Sequence, residues 1–314
     1  MSVGLIIQVL VAGLAAGAVY GLVAIGFTLV WRLTGVLQVA YGDLVGGSMF
    51  LVLLVAAGTG PVTATNVSVV RYLLVVVIVI VVTAAAGAGL YLGVIRPFVR
   101  RGSTLGWIGA IVAVALAIEA ALAAAFPREA YVLPDPLPFT RWAPLSLPGG
   151  ANLPVRTLWV LGVGLGLAAI TGWLLTHTRF GAAVEAVASE PLGAQIVGLP
   201  IDRLTAIAFA VSGVLAGLAG IVGTPAGGTI TTQTGLLLGL KAIAAAFIGG
   251  LASPGRVFRA ALMLGIFEAA VVNLHFPGFP SVSFGPAWGD IAPLALALLL
   301  IVFRAGGSMR EPVE

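Results

Sequence analysis

THTRFGAAVEAVASEPLGAQIVGLPIDR, residues 176–203, lies between two long apolar runs and carries six ionisable side chains in a chain that is 8% charged. Phe180–Ser189 has the pattern of a short amphipathic helix. Pro191 can open a second helix, because the first helical position needs no N–H. Gly198 predicts a left-handed end for that helix, and Asp202 is expected to cap the next one. The sequence therefore predicts a structured helix–turn–helix in this insertion.

The predicted helical pair has no obvious surface on which to bury its apolar face, since it hangs outside the lipid between two spans. We expect it to rest on another protein, which makes it a candidate docking segment. An ordinary solvated connection between spans fits the same periodicity. The periodicity alone does not separate these two interpretations.

The composition is that of a membrane protein. The 314 residues are 60% hydrophobic with a mean hydropathy of +1.16, whereas soluble domains are about 45–50% apolar and about 25% charged. Fifteen basic and 11 acidic residues give a net charge of +4, and every basic residue except Lys241 is an arginine. The arginines stand at the ends of apolar runs and form no patch, so the sequence does not predict nucleic-acid binding.

Several kinds of chemistry are excluded or unsupported by the sequence. The chain has no cysteine, which excludes disulfides and thiolate chemistry. His177 and His275 lack metal-ligand spacing, and we expect no metal or other cofactor to be bound. No phosphate-binding loop of the Gly-x-x-x-x-Gly-Lys type is present, so ATP hydrolysis by this chain is not expected. The uncharged first 31 residues are interpreted as a retained span and not as a secretory leader.

The apolar runs predict an all-α, polytopic membrane helix bundle in a single domain, residues 1–314. The predicted runs are Gly4–Trp31, Leu44–Ala57, Val69–Ile95, Trp107–Phe126, Thr157–Leu175, Leu204–Val222, Leu236–Ile248, Ala260–Leu274 and Gly289–Phe303. Two of these, Leu44–Ala57 and Leu236–Ile248, are short and could be half-helices, so the prediction is eight or nine transmembrane segments. Pro97 is expected to end the third run, and the proline-rich residues 127–156 are expected to form an irregular outer loop.

The arginines predict the orientation of the bundle. If residues 176–203 face the cytoplasm, ten arginines lie in inner segments and four in outer segments, in agreement with the positive-inside rule. This orientation places the N-terminus outside and the C-terminus in the cytoplasm.

Two regions interrupt the apolar pattern, residues 32–57 and 224–248. Unpaired backbone groups at membrane depth must be covered by protein or line a water-filled cavity. Paired short segments in the two halves of a transporter point to its translocation path.

Five ionisable residues are predicted at membrane depth: Asp43, Glu119, Lys241, Glu268 and Asp290. Ionisable residues at this depth indicate either a function or a structural ion pair.

These ionisable residues leave alternatives open. Lys241 could line the path, or it could form a structural ion pair with Glu268 or Asp43. Asp290 is expected at the outer interface. An ion-coupled secondary transporter would use such carboxylates for protons or Na⁺.

Several motifs resemble one family closely. GLVAIGFTL at residues 21–29, QVAYGD at 38–43, GLKA at 239–242 with Gly249-Gly250, and GIFE at 265–268 resemble the permease subunits of branched-chain amino-acid ABC importers. Glu185-Ala186, Gly193, Ile196 and Gly198-Leu-Pro200 resemble the EAA loop of ABC permeases. The chain departs from the family pattern at Gln38 for Asn, Tyr41 for His and Asp43 for Glu. Arg32 stands where the family usually has a small residue.

The resemblance implies a function and a set of site residues. It implies that residues 176–203 are a cytoplasmic coupling loop seated on an ATP-binding subunit, and the candidate coupling residues are Arg179, Gly181, Glu185, Ala186, Ala188, Gly193, Gly198, Asp202 and Arg203. The candidate translocation-path residues are Gln38, Tyr41, Gly42, Asp43, Lys241 and Glu268. A sugar or nucleoside permease of the same superfamily is the alternative within this class.

The resemblance also implies partners and a location. The expected partners are ATP-binding subunits that use ATP and Mg, a second permease subunit in a hetero- or homodimer, and a periplasmic or lipid-anchored substrate-binding protein. The expected location is a bacterial inner membrane, with the lipid bilayer around the bundle.

Overall fold

The computed structural model describes residues 3–36, 38–57, 69–101, 104–128, 130–132, 143–147, 151–227, 229–251, 253–273 and 288–308. Its helices are α1 Val3–Thr34, α2 Tyr41–Ala57, α3 Val69–Gly89, α4 Arg96–Arg100, α5 Thr104–Ala125, α6 Val155–His177, α7 Arg179–Ser189, α8 Pro191–Ile196, α9 Ile201–Gly227, α10 Thr234–Ile248, α11 Pro254–Asn273 and α12 Trp288–Ser308. A π-helical turn, Leu90–Ile95, joins α3 to α4. The short strands are β1 Tyr131–Val132, β2 Leu145–Leu147, β3 Ala151–Leu153 and β4 Thr229–Ile230.

The predicted all-α membrane bundle is confirmed. Within the described residues, five helical stretches are long and apolar enough to cross a membrane: α1, Val70–Arg100, Gly106–Ala125, α6 and the first part of α9. The helices α2 and α10 and the first part of α12 are apolar but shorter. Helices α1 and α9 are mostly buried, whereas α5 and α6 expose apolar side chains along most of their length. The centre of the bundle is therefore α1 and α9, and α5 and α6 present lipid-facing surfaces.

The central helix α1 packs closely on α11 through glycines. A Cβ atom at Gly17 would lie 2.7 Å from the Ala261 carbonyl oxygen, and one at Gly265 would lie 2.4 Å from the Gly13 carbonyl oxygen. Only small residues allow two helix backbones to approach this closely. The four-residue spacing of Gly13 and Gly17 thus marks a true contact face.

The expectation that Pro97 ends the third span is wrong. The helical run continues through Pro97 to Arg100, because the π-turn before it changes the hydrogen bonding from i−4 to i−5: the Arg96 N–H donates to the Tyr91 carbonyl. Pro97 then sits in the first turn of α4, where a missing N–H removes no essential bond.

Residues 127–156 were expected to form an irregular outer loop, but their described residues include three short strands. Strands β2 and β3 form an antiparallel hairpin, and β1 pairs with β4, so that Tyr131 lies opposite Ile230. The ring of Tyr131 also contacts Phe50 and Phe126. The segment therefore joins the C-terminal end of α5 to the turn before α10. The next helix, α6, begins at Val155, two residues before the predicted start.

Other predicted boundaries also move. The turn expected over residues 223–235 is shorter, since α9 extends to Gly227 and α10 begins at Thr234. The loops expected at residues 59–68 and 276–288 lie almost entirely outside the described residues.

Candidate functional site

The docking hairpin, defined as α7 and α8, is folded as the sequence predicts. Thr178 caps α7 by accepting a hydrogen bond from the Gly181 N–H at 3.3 Å. Pro191 opens α8, and Gly198 has a φ of +86°, the left-handed conformation that glycine favours. The predicted helix–turn–helix, its start at Pro191 and its left-handed end at Gly198 are confirmed, whereas the Thr178 cap was not predicted.

The docking hairpin is fixed to the bundle by its apolar face. Val184, Val187 and Ala194 are buried in one cluster with Leu29 of α1 and Leu204 of α9. The hairpin therefore packs on the ends of the two central helices. A movement of the hairpin relative to those ends would expose this cluster.

Asp202 does not cap α9, contrary to the expectation. It is the second residue of α9, and its carboxylate accepts hydrogen bonds from Arg96 at 2.9 Å, Arg100 at 2.5 Å and the Tyr91 hydroxyl at 2.9 Å. These contacts join α9 to α4 and the π-turn. The side chain of Arg203 is exposed, so these two neighbouring candidate coupling residues have different surroundings.

The most exposed apolar side chains of the hairpin region lie in α8 and directly after it. Leu192, Ile196 and Val197 are 69%, 86% and 83% exposed, and we call these three residues the apolar tip. Neighbouring apolar side chains exposed on a segment outside the bilayer indicate a protein–protein contact. The candidate coupling residues did not include them, because the prediction favoured charged and glycine positions and a large apolar residue in a helical pattern normally indicates burial. The signal in the sequence was the presence of three large apolar residues in a segment predicted to lie outside the bilayer.

The predicted coupling residues divide into exposed and packed positions. Arg179, Glu185 and Ala186 are exposed, while Ala188 and Gly193 are intermediate. The packed position is Gly181, where a Cβ atom would lie 2.2 Å from the Leu175 carbonyl oxygen, so this glycine is required by the close corner between α6 and α7.

Glu185 points back toward the bundle. Its carboxylate accepts a hydrogen bond from the guanidinium of Arg32, which lies in the last turn of α1. Arg32 is the position at which the sequence departs from the family pattern. The ion pair therefore links the docking hairpin to the end of α1, directly before the first interrupted region.

The first interrupted region is enclosed by protein. Gly35 has a φ of +64°, and the chain then turns back into the bundle. Gln38 and Tyr41 are each 1% exposed, and the Tyr41 hydroxyl donates to the Ser212 carbonyl of α9 at 2.8 Å. The buried Gln38 Oε1 has no hydrogen-bond partner among the residues that the structure describes. Asp43 is also buried, one turn into α2.

Gly42 serves the packing of the two short helices. A Cβ atom at Gly42 would lie 2.8 Å from the Gly235 carbonyl oxygen and 3.1 Å from the Gly239 Cα. Gly46 makes a similar contact with Gly235. A pair of glycines four residues apart on α2 thus meets a matching pair on α10, which brings the two interrupted regions together.

Lys241 lies in an ion-pair cluster. Its Nζ is 2.8 Å from Glu268 Oε1 and 2.7 Å from Asp290 Oδ1, and the Tyr20 hydroxyl donates to Glu268 Oε2 at 2.8 Å. The predicted pairing with Glu268 is found, and the alternative with Asp43 is not. Asp290 was expected to lie at the outer interface, but it is half-exposed and pairs with Lys241. The cluster joins α1, α10, α11 and α12 and contains two carboxylates for one ammonium group.

A cavity of about 280 Å³ lies beside this cluster. Tyr20 and Glu268 line it together with Met49, Thr234 and Leu238. The candidate path residues therefore form two groups. Glu268 lines this cavity and pairs with Lys241, whereas Gln38, Tyr41 and Asp43 lie at the start of α2. Glycine packing between α2 and α10 joins the two groups. No cluster of three His, Asp or Glu side chains suited to a metal ion occurs among the described residues.

Comparison with known proteins identifies the family. The family described as "Branched-chain amino acid transport system / permease component" matches residues 9–303. The chain belongs to this family of ABC-importer permeases, and it is a multi-pass membrane protein.

Individual relatives give two different solute classes. The chain is 24% identical to the high-affinity branched-chain amino acid transport system permease protein BraD of Pseudomonas aeruginosa, over 98% of this chain and 96% of that protein. It is 35% identical to the autoinducer 2 import system permease protein LsrC of Photorhabdus laumondii, over 50% of this chain and 45% of that protein. The LsrC of Escherichia coli is 32% identical over 47% of this chain and 42% of that protein. No solved structure matches the chain.

Proposed function

We propose that this chain is the translocating subunit of an ATP-driven importer for branched-chain or related amino acids. The observation that carries the proposal is the apolar tip, which stands exposed on a rigid hairpin at one end of the membrane bundle. An ATP-binding subunit with an apolar groove would cover Leu192, Ile196 and Val197. ATP and Mg would be used by that subunit, since this chain has no phosphate-binding loop.

The proposed assembly has two permease subunits, either identical or related, and two ATP-binding subunits. A periplasmic or lipid-anchored binding protein would deliver the solute to the outer loops. The docking hairpin would face the cytoplasm of a bacterial cell, which places the N-terminus outside and the C-terminus inside. The excess of arginines on the hairpin side supports this orientation.

The proposed solute class is supported by the full-length similarity to BraD. Glu268 lines the cavity beside the cluster, and the cluster of Lys241, Glu268 and Asp290 holds one carboxylate in excess of its ammonium, which suits a solute that carries an ammonium group. An excess carboxylate can pair with the ammonium group of an amino acid. A polyhydroxylated solute is the second candidate, supported by the similarity of half the chain to LsrC.

An ion-coupled secondary transporter is the weaker alternative. Such a protein would work without a partner ATPase and would leave the apolar tip without a role. Uptake by the purified chain alone, driven by a proton or Na⁺ gradient, would support that alternative and contradict the proposal.

The docking proposal is tested by a single charge at the apolar tip. Ile196→Asp places a carboxylate where a desolvated contact is expected, so the ATP-binding subunit should co-purify at least about tenfold less. Gln195→Asp is the matched control: it adds the same charge one residue away, at a side chain that lines a separate cavity with Tyr91 and Asp202. Equal co-purification with both variants would overturn the docking assignment.

A further inference from the structure

A second cavity lies apart from the one beside Lys241, and the Arg32–Glu185 ion pair lines it. It has a volume of about 890 Å³ and lies between α1, α6, α7 and the start of α11. Its apolar walls include Ile25, Ala168 and Phe258. Its polar end includes Arg32 and Arg256. The cavity is therefore a groove that is apolar along its length and basic at one end.

The groove has the depth of one membrane leaflet. Along α6 it runs from Leu165 to Thr176, which is about 16 Å of helix and close to half of the ~30 Å hydrocarbon core. Leu165, Ala169 and Trp173 on this wall are exposed, so the groove opens toward lipid. Trp173 lies near the basic end, and tryptophan is enriched at the membrane–water interface.

The basic end carries one uncompensated positive charge. The Arg32 guanidinium is paired with Glu185, which also lines the groove. The Arg256 side chain is exposed and forms no ion pair or hydrogen bond with any residue that the structure describes. The remaining lining residues are uncharged, and Ser253 and Thr176 add hydroxyl groups at the same end. This arrangement suits a phosphate group at the interface.

We propose that the groove binds one anionic diacyl phospholipid from the leaflet on the docking-hairpin side. The phosphate lies at Arg256 and an acyl chain lies along Leu165 and Ala169. A free phosphate ion would leave the apolar length of the groove unoccupied, so the ligand is the lipid and not the ion. Since Glu185 belongs to the docking hairpin, the bound lipid would touch the same ion pair that joins the hairpin to α1.

The binding test uses the full-length chain in detergent and counts bound lipids by native mass spectrometry. Phosphatidylglycerol should bind more tightly than phosphatidylcholine with the same acyl chains. Arg256→Gln should weaken phosphatidylglycerol binding about fivefold, the effect of one basic residue at a membrane surface. The matched control is Arg259→Gln, one turn further along α11 and outside the groove, which should change binding less than about twofold.

A second variant separates the acyl chain from the headgroup. Ala169→Trp fills the apolar wall without changing charge, and it should weaken both lipids by a similar factor. Millimolar inorganic phosphate should not displace phosphatidylglycerol. Equal affinities for the two lipids, an equal loss in Arg256→Gln and Arg259→Gln, or displacement by inorganic phosphate would each overturn the proposal.

The occupant in the intact membrane is tested by a photo-reactive side chain at position 169. Cross-links to phospholipid are expected, and they should decrease when Arg256→Gln is added. Cross-links to another polypeptide would show that a partner subunit fills the groove, and this result would contradict the lipid assignment.

Discussion

The two short helices, α2 and α10, pack against each other through glycines, but their buried charged residues have different surroundings. Lys241 of α10 is enclosed by Glu268, Asp290 and the Tyr20 hydroxyl. Asp43 of α2 is equally buried, yet it contacts no cation among the residues that the structure describes. The contrast indicates that the Lys241 ammonium holds α1, α10, α11 and α12 together. Polar groups at the start of α2 remain available to form further hydrogen bonds.

The largest effect is expected when the α10 cluster loses its cation. Lys241→Met leaves Glu268 and Asp290 facing each other without a counter-charge, which should cost about 3–5 kcal/mol of unfolding free energy. The measurement is denaturant unfolding of the detergent-solubilised chain. Adding Glu268→Gln to Lys241→Met should recover at least half of the loss, and no recovery would show that Lys241 stabilises the bundle through its packing alone.

A smaller effect is expected at the glycine crossing. Gly42→Ala forces a methyl group against the Gly235 carbonyl and should destabilise the fold by about 1–3 kcal/mol. Gly47→Ala on the same helix is the matched control, because a Cβ atom at Gly47 meets nothing within 4 Å. That control should be neutral or stabilising by about 0.5–1 kcal/mol. Similar stabilities for the two variants would contradict the close approach of α2 and α10.

The smallest effect on stability is expected at the start of α2. Asp43→Asn breaks no ion pair, so its unfolding free energy should change by less than about 1 kcal/mol. Solute uptake by the reconstituted transporter should nevertheless fall. Glu268→Gln provides the comparison, since it weakens a described ion pair and should destabilise the chain more than Asp43→Asn. The reverse order would remove the distinction between the two helices.

The docking hairpin could be predicted almost completely because its signals are local. Pro191 and Gly198 act through their own backbone neighbours, and the apolar positions of α7 repeat with the period of a helix. The apolar tip was missed because a large apolar residue in a helical pattern normally indicates burial, and only the folded chain reveals which face of α8 stays uncovered.

Long-range contacts were the least predictable part. The pairing of β1 with β4 joins residues about one hundred positions apart, and the contact between Lys241 and Asp290 depends on where α12 packs. Nothing in the spacing of these residues specifies either contact. The continuation of the third span through Pro97 could not be predicted for a different reason: the π-helical turn before it has no recognisable sequence pattern.

The Arg32–Glu185 ion pair has a mechanical consequence. It joins the hairpin to the last turn of α1, and three residues later Gly35 has a φ of +64°. The stretch that follows carries Gln38 and leads to Tyr41, whose hydroxyl donates to the Ser212 carbonyl of α9. In the proposed importer, a force that displaces the hairpin would therefore act on the end of α1, a few residues before the buried polar groups in the middle of the bundle.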